Sequence, residues 1–215
     1  MGSQTISILL LGDDGVGKTT FLSCVFQLPL FLPSARVPRL ELTQCRRISL
    51  GHSNLVGTRP ITLLKDMDQP FVFETSFGMR QYRLEFYDTS GPENWRLLRP
   101  DLALICYDIS QRFSLVNLQR VKWIQQVRST FQSESTLPLA VLGLKRDLRS
   151  EDDPNGIIYP QEAYRVAAEI RADKYMECSA VTGELLQLAF EEICQMAVKT
   201  TSAEGGQSAG GCCLM

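Results

Sequence analysis

Residues 12–19 read Gly-Asp-Asp-Gly-Val-Gly-Lys-Thr, the spacing G-x-x-x-x-G-K-[ST] of a phosphate-binding loop. Glycines let the backbone curl until successive N–H groups point at one anion, and a helix starting there adds the positive end of its dipole. In such a cradle Asp14, Gly15, Val16 and Gly17 surround the phosphates, Lys18 reaches the β- and γ-phosphates, and Thr19 can ligate Mg2+, with Thr20 next to it. A glycine-rich turn with a chance lysine gives the same string, so the weight lies in its context.

Three further short strings end apolar runs. Asp88-Thr89-Ser90-Gly91 offers a carboxylate that can hold Mg2+ through water and, at Gly91, an N–H for a γ-phosphate. Leu144-Lys145-Arg146-Asp147 offers a carboxylate, Asp147, able to accept two hydrogen bonds from guanine N1 and N2, a pattern adenine lacks. Lys145 can lie along base and ribose. Cys178-Ser179-Ala180 can present the Ala180 N–H to the guanine carbonyl. Each string is weak alone. Together, in this order at strand ends, they are strong, because open α/β sheets bind nucleotides at the carboxyl ends of their strands.

The elements that must position these groups follow from periodicity. Residues 5–11 are largely β-branched and aliphatic and end in Gly12, reading as a buried strand, and 18–26 follow as a helix. Pro29, Pro33 and Pro38 punctuate a segment that stays irregular over residues 27–70. Residues 71–77 and 81–88 flank Gly78-Met79 as an antiparallel hairpin. Further strands are expected at 102–108, 137–144 and 175–177, and helices at 114–131, 161–170 and 183–199, with a polar loop at 146–160. The alternation implies an α/β fold: a mostly parallel six-stranded sheet with one antiparallel hairpin strand and helices on both faces. Residues 1–200 form the domain, and 201–215 are a Gly/Ser/Ala-rich flexible tail.

Bulk properties remove several alternatives. A 215-residue chain fits one domain plus a tail. A net charge of −2 offers no basic stripe for nucleic acid. Apolar runs are strand-length, too short to span a bilayer, and the start lacks a secretory signal. Gly2 does not suit myristoylation, since Ile6 stands where Ser or Thr is wanted. The single histidine, His52, argues against a histidine-rich metal centre or a serine–histidine triad. Of seven cysteines the first five are scattered and read as buried thiols in a reducing cytosol. A metabolite kinase is disfavoured because no substrate-binding insertion accompanies the cradle.

Taken together, residues of about 4–200 resemble a Ras-superfamily small GTPase of the P-loop NTPase class. Arg96-Leu97-Leu98-Arg99-Pro100, Lys122-Trp123, Gly143 to Arg149 and Tyr175 to Ala180 are most similar to the Rho branch, although the loop after Asp147 is short for the extra helix of Rho proteins. The resemblance implies GTP/GDP and Mg2+ as ligands, effector proteins and exchange factors as partners, and a signalling switch as function.

Four departures from the family pattern bear on mechanism. Asp14 replaces a glycine beside the γ-phosphate; a carboxylate facing that phosphate at ~4 Å would meet up to ~4 kcal/mol of repulsion at an effective dielectric near 20, so it is expected to point outward, into the space of an activator's arginine finger. Pro92 replaces the glutamine that orients the attacking water, and proline has no side-chain donor or acceptor. With no intact catalytic residue, intrinsic and activated hydrolysis are expected to be weak. The alternative is a non-hydrolysing interaction module that stays loaded with GTP. The irregular segment is about thirty residues longer than a usual first switch, and such loops tend to be functional or unstructured. Its Mg2+-ligating threonine is read as Thr62, with Thr58 as runner-up. Finally, Leu144 replaces a polar residue before Lys145, loosening affinity while leaving guanine specificity to Asp147.

The terminal Cys212-Cys213-Leu214-Met215 reads as a C-a-a-X prenylation signal on Cys212, with double prenylation of Cys212 and Cys213 as the lesser alternative. No lysine or arginine follows Lys199, and one lipid gives only marginal anchoring. The expected location is the cytoplasmic face of membranes, in exchange with cytosol.

Overall fold

The computed structural model describes residues 3–27, 69–77, 80–88, 98–118, 123–131, 137–150 and 158–201. Of the sites read above, Thr62, Thr58, Gly91, Pro92, Cys212 and Cys213 lie outside these residues, as do the turn at Gly78-Met79 and most of the long irregular segment.

In chain order the described elements are β1 (Gln4–Leu11), α1 (Lys18–Phe26), β2 (Phe71–Phe77), β3 (Arg80–Asp88), β4 (Leu102–Asp108), α2 (Arg112–Val116), α3 (Trp123–Thr130), β5 (Leu139–Leu144), α4 (Pro160–Glu169), β6 (Lys174–Glu177) and α5 (Leu186–Thr201). The strands form one six-stranded sheet in the order β2-β3-β1-β4-β5-β6. Only β2 runs antiparallel to its neighbour; the other pairings are parallel. The predicted class and strand count therefore hold.

Both faces of the sheet are covered, and strand alternation assigns residues to each. Ile6, Ile8 and Leu10 of β1, with Leu104 and Cys106 of β4, meet Phe21, Leu22 and Val25 of α1 and Phe190, Ile193 and Ala197 of α5. Leu9, Leu11, Ile105 and Tyr107 point the other way, against Leu115, Trp123, Val127, Ala163 and Val166. Because β1, β4 and β5 are buried on both sides over most of their length, they read as near-continuous apolar runs.

Element ends differ from expectation for local reasons. Strand β5 starts at Leu139 rather than 137, because Pro138 has no N–H to pair; its carbonyl accepts from Ala103 N at 3.0 Å. Helix α5 starts at Leu186 rather than 183, since Gly183 and Leu185 take positive φ of 77° and 56°. Of the helix expected over 114–131, the described residues give α2, a wide π-type turn at Asn117 and Leu118, and α3, with residues 119–122 outside the described ones.

Candidate functional site

Strand β1 is central, with β3 on one side and β4 on the other. Chain connections leave it in opposite directions there, which opens the crevice where such sheets bind ligands. The cradle lies at this point. Gly12, Gly15 and Gly17 take φ of 144°, 75° and 108°, values that L side chains rarely adopt. At Gly12 the main chain also passes so close to β4 that a Cβ would stand 2.3 Å from the Cys106 carbonyl oxygen. Val16 is 3% exposed and anchors the loop in the core, while Asp14 is exposed.

Lys18 opens α1 and is 6% exposed. Its Nζ donates to the carbonyls of Gly12 at 2.8 Å and Asp13 at 3.1 Å. Among the described residues no carboxylate pairs with it, so a buried ammonium is held by the loop with its charge uncompensated. An anion suits that position. The Thr19 hydroxyl donates to Asp88 Oδ2 at 2.6 Å, bringing the two expected Mg2+ residues together from α1 and the end of β3. Hard oxygen donors of this kind fit Mg2+. Thr20 is half-buried on the next position of α1.

The base-recognition strings converge on the same rim. Lys145, left-handed at φ 58°, sends its Nζ to Gly15 O at 2.7 Å and to the carboxylate of Asp108 at 2.7 Å. One ammonium thus ties the cradle to the loop after β5 and to the end of β4. Asp147 is exposed, and its Oδ1 accepts from the Ser179 hydroxyl at 2.5 Å. Ser179 is fully buried, with its N–H donating to Glu184 O. Its polar groups therefore serve to hold Asp147 and the loop that carries Ala180. Arg149 locks these two loops together from below by a paired contact with Glu177 at 2.6 and 2.8 Å, and Glu177 also accepts from Tyr175. Burial pushes the Glu177 carboxyl up, but Arg149, Tyr175 and Arg146 outweigh it and hold it below its ordinary value.

The family model described as the Ras family matches residues 68–199. The chain belongs to the Ras family. The family match starts beyond the cradle, yet alignments to individual relatives run through it. The chain is 28% identical to the GTP-binding protein rho2 of Schizosaccharomyces pombe, over 97% of this chain and 94% of that protein. It is 25% identical to the human Rho-related GTP-binding protein RhoF, over 100% of this chain and 92% of that one. It is 28% identical to the GTP-binding protein RHO2 of Saccharomyces cerevisiae, over 80% of this chain and 91% of that one. These are Rho-branch relatives, as the sequence motifs implied.

Three contacts in this Ras-family chain were not foreseen. Asp108 pairs with Lys145, and only its place at the carboxyl end of a central strand could have signalled it. Gln69 Nε2 donates to the main-chain carbonyl of Asp88 at 2.8 Å, tying the root of β2 to the end of β3. Asp13 accepts from Asn117 and Trp123, a pairing that no local spacing predicts. Leu144 is 1% exposed and packs within about 4 Å of where a Gly17 Cβ would lie, so the apolar replacement meets the cradle by contact instead of hydrogen bonding.

Proposed function

We propose that this Rho-like small GTPase binds GTP and GDP with Mg2+ and acts as a membrane-associated switch whose hydrolysis is slow. The observation that carries the nucleotide reading is the Lys145 ammonium bridging Gly15 O and Asp108, because it brings a phosphate cradle and a guanine-reading loop onto one rim. In this reading the N–H groups of residues 14–19 and Lys18 hold the phosphates. Thr19 and Asp88, the latter through water, hold Mg2+, which neutralises phosphate charge when bound. Asp147, steadied by Ser179, selects guanine, and the Ala180 N–H meets the base carbonyl. Thr62 and the Gly91 N–H complete the γ-phosphate side on the family pattern.

Slow hydrolysis rests on Pro92, which cannot orient water, and on Asp14, an exposed carboxylate where the family has a glycine. Effectors and exchange factors are the expected partners. A prenyl group on Cys212 would supply a single, reversible membrane contact, consistent with the absence among the described residues of any helix long and apolar enough to cross a membrane.

Calorimetry with GTP, GDP and ATP tests the binding reading: guanine nucleotides bind and ATP does not, and Asp147→Asn loses GTP while gaining affinity for xanthine nucleotide, whose 2-oxo group accepts from an amide. Equal binding of GTP and ATP would end the proposal. Single-turnover hydrolysis by the loaded protein then separates a slow switch from a permanently loaded module, and fast turnover would remove both. Intact mass of protein expressed in a prenylating host, against Cys212→Ser, checks the tail.

A further inference from the structure

We propose that Asn117 and Trp123 are positioning residues for the phosphate cradle, acting through the side chain of Asp13. Asn117 Nδ2 donates to Asp13 Oδ2 at 2.8 Å, and Trp123 Nε1 donates to Asp13 Oδ1 at 3.0 Å, so both carboxylate oxygens are engaged from outside the cradle. Trp123 is 1% exposed, with no slack to follow a moving partner. The main chain of the same residue faces inward, where Asp13 O accepts from Lys18 Nζ at 3.1 Å and from Val16 N at 3.5 Å. Asp13 therefore links the lysine that meets the anion to the segment between α2 and α3.

The local fold is built to allow this. In an uninterrupted α-helix two positions six apart point about 120° away from each other, so Asn117 and Trp123 could not reach one carboxylate. The wide π-type turn at Asn117 and Leu118 departs from that geometry, and both donors reach the carboxylate. Wide turns of this type are frequent at functional sites. A carboxylate so close to a triphosphate would repel it if it swung inward; two neutral donors fix it behind the loop and leave the inward N–H groups for the anion. Displacing Asn117 and the turn it stands on would loosen the grip on nucleotide without touching a single phosphate contact.

The inference rests on the guanine-nucleotide reading above, and two measurements separate them. In the nucleotide-free protein with Trp95→Phe, the remaining indole N–H is protected from hydrogen exchange, and Asp13→Ala removes that protection. With a fluorescent GDP analogue chased by excess GDP, Asn117→Ala and Trp123→Phe each speed release by more than about tenfold, the loss expected for a hydrogen bond to a charged group. In the Asp13→Ala background the same changes add less than about twofold, since partners in one network are not additive. Uptake by the parent with unchanged release in Asn117→Ala, a half-buried and tolerant position, would overturn the clamp alone. Equal acceleration with and without Asp13 would overturn it too. Failure of the parent to take up GDP would sink the nucleotide reading and this one with it.

Discussion

Glu177 shows how much a single side chain outside the binding rim can govern it. Its carboxylate joins Arg149, from the loop bearing Asp147, to the strand that leads into Ser179 and Ala180. Its pKa is held below the ordinary 4.5, so the stability it gives is present above that value and is lost as pH falls through the folded pKa. Wild type should therefore be more stable than Glu177→Gln at pH 7, with the gap shrinking below about pH 4.5 in urea titrations. The side-chain types of the candidate binding rim were legible in the sequence, because cradle, Lys145 and Asp147 sit in fixed local spacings. Asp13, Asp108 and Gln69 were not, because their partners lie 104, 37 and 19 residues away and only the fold brings them near.

Strand β2 reaches the core through Phe73. This ring meets Phe86 of β3 at 5.2 Å, Phe190 of α5 at 5.0 Å and Phe26 of α1 at 4.2 Å between centroids. It is 3% exposed, so Phe73→Ala should cost about 3–5 kcal/mol by lost burial and a cavity at the junction of three elements. Chemical denaturation of nucleotide-free protein checks this; a loss under about 1 kcal/mol would show the cluster collapses freely. Strands were legible here because near-continuous apolar runs and a clean hairpin alternation leave little choice. The π-type turn at Asn117 and Leu118 within the helix read over 114–131 was not, because Leu115 and Leu118 keep helical spacing up to it. Periodicity records which side faces the sheet and is blind to a widened turn.

For the whole molecule, a ligand that binds only the folded state adds stability by mass action. At a hundredfold excess over Kd this is about 2.7 kcal/mol, and at ~2–4 °C per kcal/mol for a chain of this size Tm should rise roughly 5–10 °C with Mg2+ and GDP. Chelating Mg2+ should lower the gain, Asp147→Asn should abolish it, and the nucleotide-free Tm should be unmoved; a scanning calorimeter reads all three. Burial raises the thiol pKa of Cys24, Cys106, Cys178 and Cys194, Cys178 to about 12, so these four should resist alkylation until the protein unfolds. The three cradle glycines will not tolerate replacement alike. Around Gly15 nothing lies within 4 Å of an added methyl, so alanine there meets only backbone strain and should yield a folded protein with an altered loop. Gly12 has the Cys106 carbonyl against it, so alanine there must wedge the two middle strands apart. Gly15, at an open position of the motif, is an adjustable part of the grip; Gly12, its first fixed letter, is a keystone of the sheet.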